Sequence, residues 1–152
     1  MSEGSADQIK ERLDAACDRP IWGASRGIGS MISFSLGDQL SQAGRGEFHV
    51  WLYQTSWRWE TPEEVIAGSG DSGELLDEVM AELNGLVLTK ITVEAPSMSA
   101  RFYFDDDSRL ATFTDHSQHS VHWRMFLPGG DVFVAGPGAE WTVRPASRSE
   151  DR

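Results

Sequence analysis

Two stretches of the chain, residues 31–70 and 99–138, are equal in length and run through the same order of elements. Each opens on alternating apolar positions, Ile32, Phe34 and Leu36 in one and Phe102 and Phe104 in the other. A period of two marks a strand with one buried face. A corner follows, Gly37-Asp38 or Asp105-Asp106-Asp107, and then a second strand over 48–53 or 110–113. The third strand carries Trp57-Arg58 in one stretch and Trp123-Arg124 in the other. The fourth runs out at Gly68-Ser69-Gly70 or Gly136-Pro137-Gly138. The pattern predicts a four-strand antiparallel meander made twice.

A helix precedes each stretch. In residues 74–83, Leu75, Leu76, Val79, Met80 and Leu83 recur at helical spacing. Asp71 or Ser72 can cap that helix and Asn84-Gly85 can stop it. A thinner stripe, Ile9, Leu13, Ala16 and Cys17, lies in residues 7–17 before Asp18-Arg19-Pro20. One more extended piece stands between helix and meander in each half, near 21–25 and 87–94. The expected fold is α+β: two pseudo-repeated helix-plus-four-strand meander units forming one large sheet or two packed sheets. One domain is expected over 7–144, with disorder over 1–6 and a frayed tail over 145–152. Trp141 to Val143 is expected to form an edge strand, a place where a second copy of the chain could pair.

The 152 residues carry a net charge of -11. Such a surface repels phosphate backbones and anionic lipid, so neither nucleic acid nor membrane is an expected partner. A single cysteine, Cys17, excludes an intrachain disulfide and fits a reducing compartment. Residues 1–7 lack the basic-then-apolar order of a signal peptide, and no apolar run is long enough to span a bilayer. The cytoplasm is the expected location.

Motifs that would specify a reaction fail on context. Gly23-Ala24-Ser25-Arg26-Gly27-Ile28-Gly29 is similar to the phosphate-binding turn of short-chain dehydrogenases, which needs a buried strand before it and a helix after it. Here Asp18-Arg19-Pro20 precedes and β alternation follows, so a loop or bulge is expected. Asp105-Asp106-Asp107 lacks the remaining ligands of a calcium loop. His116, His119 and His122 could ligate zinc or a related metal, which makes a metal-dependent enzyme one alternative. Trp51, Trp59 and Tyr103, expected to point away from the core, suggest a small-molecule pocket as another. No cofactor is expected, nor a catalytic residue.

One segment stands out by charge. Residues 60–82 hold Glu60, Glu63, Glu64, Asp71, Glu74, Asp77, Glu78 and Glu82 without a Lys or Arg. A surface of one sign steers partners of the other, so these eight carboxylates are the expected contact for a basic protein. The order Pro20-Ile21-Trp22-Gly23, Ser33-Phe34-Ser35-Leu36-Gly37, Thr55-Ser56-Trp57-Arg58 and His122-Trp123-Arg124 resembles a group of small uncharacterised bacterial proteins. Some proteins of this size and acidity are similar to immunity proteins, which neutralise a toxin. The resemblance brings no catalytic residues and implies protein binding; with the acidic segment, the expected function is that of a non-enzymatic binder of a basic protein, a toxin being one such partner.

Overall fold

The computed structural model describes residues 6–40, 44–117 and 121–146. Helix α1 (Ala6–Asp14) leads into β1 (Arg19–Arg26), β2 (Ile32–Gln39), β3 (Gly46–Leu52), β4 (Ser56–Glu60) and β5 (Val65–Gly68). Helix α2 (Gly73–Leu83) leads into β6 (Val87–Glu94), β7 (Ser99–Phe104), β8 (Arg109–Phe113), β9 (Trp123–Phe126), β10 (Asp131–Ala135) and β11 (Trp141–Pro145). Ser72 caps α2, its hydroxyl accepting from the Leu75 amide, and Gly85 follows at φ 95°. The glycine-rich stretch after Trp22 forms a bulge in β1 and then the β1–β2 hairpin, closed by a Gly27 N–H to Met31 carbonyl bond. No helix follows it, so it is not a dinucleotide-binding turn.

Among the described residues eleven strands form one sheet in the order β11-β10-β9-β3-β2-β1-β6-β7-β8-β4-β5, antiparallel at every described pair. This is a sheet-rich mixed fold, as the alternation implies. The meanders, however, are not self-contained. β4 does not return along β3 but pairs with β8, and β9 pairs with β3 rather than β8. The reason is local. A tight hairpin needs residues that adopt positive φ, usually Gly, Asn or Asp, at its two central positions. Tyr53-Gln54-Thr55 offers none, so the chain leaves β3 without reversing onto it.

The sheet folds over on itself. β1 meets β6 only at Arg19–Leu88 and Pro20–Val87, which makes a narrow seam. Trp123 of β9 lies five strand steps from β7, about 24 Å along a flat sheet. Its ring centroid is nevertheless 5.7 Å from that of Phe102 on β7. Phe34 of β2 meets Phe102 edge-on at 5.8 Å. The halves on either side of the seam therefore face each other across one core. α2 adds Leu76, Val79, Met80 and Leu83 to it.

Both tryptophans of the Trp-Arg pairs are buried, at 3% and 0% exposure. The Trp57 indole donates to the Ser30 carbonyl at 2.8 Å, and the Trp123 indole to the Met98 carbonyl at 2.9 Å. Ser30 and Met98 each immediately precede one of the two matched stretches. Replacing Trp123 by Phe empties space around Phe102 and Phe133 and strands the Met98 carbonyl. We expect it to cost ~2–4 kcal/mol. Urea unfolding followed by tryptophan fluorescence, with an unchanged slope, measures it.

Candidate functional site

The eight carboxylates of residues 60–82 separate into two groups. Glu60 does not belong to the surface at all. It ends β4 at 7% exposure, where Arg109 Nε donates to it at 2.6 Å and Arg58 to its other oxygen. The Arg58 hydrogen bond, with Arg109 behind it and burial opposing, holds the Glu60 carboxyl below the usual range. Glu60 stands two residues from Arg58 on β4 and directly across from Arg109 in the β4–β8 register, so both guanidiniums share its face of the sheet and cover it. Asp71 caps a turn by accepting from the Gly68 amide at 2.8 Å. Asp77 takes a two-pronged bond from Arg26, at 2.8 and 3.1 Å, which ties α2 to the β1–β2 hairpin and lowers the Asp77 carboxyl.

The other five carboxylates do none of this. Glu63 and Glu64 stand exposed at the β4–β5 corner. Glu74, Glu78 and Glu82 are exposed on α2 at one-turn intervals, opposite its buried face. No salt bridge among the described residues engages any of the five. No basic residue stands in the last turn of α2, although Glu82 lies against the negative end of the helix dipole.

The histidines come together in part. His116 and His122 meet edge to face with ring centroids 5.0 Å apart, and His116 Nδ1 lies 3.2 Å from Asp115 Oδ1. His122 is fully buried, with Nε2 donating to the Gly138 carbonyl at 3.0 Å. His119 lies outside the described residues. Among the described residues no three His, Cys, Asp or Glu side chains are grouped to hold a metal ion.

The three aromatics expected to share a pocket do not meet. Trp59 faces the core, not away from it, at 4% exposure, and its indole bonds the Ser108 hydroxyl at 3.0 Å. Trp51 is on the outer side of β3, stacked near Tyr53 and edge-on to Phe126. Tyr103 lies in the other half of the sheet with the Lys90 ammonium 5.2 Å from its ring centre. Trp57 and Trp59 share one face of β4 because they are two residues apart, a relation their sequence spacing already implies.

Two arrangements were not read from the sequence. Ser35 Oγ and His49 Nδ1 share a bond of 2.7 Å, a nucleophile–base pairing by residue type. At 2% exposure the Ser35 hydroxyl is out of reach of substrate, and it is also held by the Gly46 amide at 3.0 Å. Burial first, and the Arg45 charge second, push the His49 imidazole down to about 4. The second arrangement is a cleft of about 440 Å³ between α1 and β6, walled on its far side by Phe133 and Trp141. Cys17, near α1, is an unreactive thiol, pushed up to about 11 mainly by burial.

Comparison with family models, with curated proteins and with solved structures found no match. Among the described residues no helix is long and apolar enough to cross a membrane.

Two pH-linked outcomes follow. Unfolded histidine titrates near 6.5, so His49 binds fewer protons folded than unfolded. Its contribution is intact above pH 6.5 and is lost as the pH falls towards 4. The urea midpoint should drop over that window, and His49→Gln should flatten the drop. Glu60→Gln should cost ~1–3 kcal/mol at pH 7, because it leaves Arg58 and Arg109 without their shared anion. That difference should shrink below pH 4.5, where the unfolded carboxylate is itself protonated.

Proposed function

We propose that the protein is a non-enzymatic binder of a basic protein, of the immunity type that neutralises a toxin, with Glu63, Glu64, Glu74, Glu78 and Glu82 as its contact carboxylates. The observation that carries this is the stripe on α2. Like charges one turn apart each destabilise a helix by ~0.2–0.5 kcal/mol, and an anion in the last turn adds to that cost. Only Glu74, in the first turn, is favoured by the helix dipole, and folding gains nothing from Glu78 and Glu82, which make no salt bridge among the described residues. A costly feature with no structural return is what a recognition surface looks like. Glu60, Asp71 and Asp77 act one layer behind, holding the β4–β5 corner and α2 in place. The single thiol and the net charge of -11 favour a cytoplasmic setting for such a partner.

The two helix-led halves support a reading as one duplicated unit. α1 is followed by five strands and α2 by six, the last of them β11, and the paired indole bonds of Trp57 and Trp123 fall at matching places. On that reading the shared residues are scaffold, and the acidic segment, which lies in one half alone, carries recognition.

Glu82→Lys separates the two roles of the stripe. It should stabilise the isolated protein by ~0.5 kcal/mol, read as a higher denaturation midpoint. The triple variant Glu74→Gln, Glu78→Gln, Glu82→Gln should keep the fold, by circular dichroism. It should slow association with a basic partner captured from the native host about tenfold at low salt, and less at moderate salt. A stable triple variant that captures the same partner at an unchanged rate would overturn the proposal.

A further inference from the structure

The chain contains two lysines, Lys10 and Lys90, and both border the cleft between α1 and β6. Of its 24 acidic residues one, Asp14, joins them there. The lining of this cleft therefore carries two positive charges against one negative, on a protein of net charge -11. Lys10 reaches Asp14 at 2.6 Å and the Lys90 ammonium lies 5.2 Å from the Tyr103 ring centre, both exposed pairings that a competing carboxylate can displace at little cost.

The interior has the opposite character. Ile9 and Leu13 of α1 form one wall, Ile91 and Val93 of β6 another, and Phe133 and Trp141 the back. The two back rings lie 5.9 Å apart. The cleft exists because β6 loses its neighbour. β1 pairs with β6 only at its first two residues, and the chain before β1 turns up into α1. From Lys90 onward the β1 side of β6 has a helix lying over it instead of a strand. At about 440 Å³ the space falls within the range of small-molecule sites and is apolar with a few polar groups at its rim.

We infer that this cleft binds an amphipathic monoanion, a carboxylate on an aliphatic chain, with the chain against Leu13, Ile91, Phe133 and Trp141 and the carboxylate between Lys10 and Lys90. The charge of the lining selects the sign of the head group, and the walls select an apolar body. The site is independent of the acidic stripe, since α2 packs on β1 and β5, whereas this cleft is made by α1 and β6.

The test uses the whole protein with decanoate, decanol and decylammonium below their aggregation concentrations, read by thermal shift and calorimetry. Decanoate should raise the melting temperature and bind at least tenfold more tightly than decylammonium. Lys10→Gln combined with Lys90→Gln should weaken decanoate about tenfold and leave decanol unchanged. Val93→Trp and Ile9→Trp, which fill the cleft from opposite walls, should each abolish decanoate binding. Circular dichroism identifies which of the two is folded, and a folded one suffices. The inference is overturned if decanoate does not bind, if the three probes bind alike, or if a folded cleft-filling variant binds as well as the parent. Tighter binding of a short apolar acidic peptide than of decanoate would also overturn it, in favour of a strand added along β6.

Discussion

The pairing of β9 with β3 and of β4 with β8 is the constraint on which the rest of the structure depends. Each half supplies three consecutive strands, and the third of them presents an unpaired row of N–H and C=O groups. Buried backbone groups must find partners. Here each half finds them in the other half's outer hairpin. That crossing brings Trp123 over Phe102 and places its indole on the Met98 carbonyl. It also folds the sheet at the two-residue seam between β1 and β6. Where the seam opens, the cleft beside α1 results, so the exchange and the cleft have one geometric cause.

Charge is sorted by the same framework. Glu60 lies next to a β-bulge and is drawn between two guanidiniums. Asp77 faces the β1–β2 hairpin and finds Arg26. Glu74, Glu78 and Glu82 face away from every strand and find no partner within the described chain. Position on the fold, rather than residue type, decides which carboxylates stabilise the protein and which are left over. The two lysines both line the cleft between α1 and β6.

Much of the element list was legible in the sequence. The period-two runs of β2, β3, β6 and β7 and the stripe of α2 are local properties, fixed by which face each side chain takes. Strand partners are not local. Nothing in Phe48 to Leu52 says whether Trp57 or Trp123 will lie beside it, since either satisfies the same backbone edge. The candidate carboxylates were legible as a block, because charge can be counted. That Glu60 is covered by two guanidiniums was not, because it depends on β8 setting Arg109 directly across from it. The Ser35–His49 bond was hidden for another reason. The two residues are fourteen apart and meet only once β2 and β3 are in register. The cleft was invisible too, since its walls come from α1, β6, β10 and β11 at once.

Because each half borrows strands from the other, neither half of the chain is a folding unit. The open side of β3 is covered by β9, more than seventy residues later in the sequence. Contacts of such separation make for slow folding. As the chain emerges during synthesis, β1 to β3 stand with an exposed edge until most of the remainder has been made. The strand that ends this exposure is identical in every copy of the protein. A neighbouring nascent chain offers the same β9, so assembly is a race between closing on oneself and closing on a sibling.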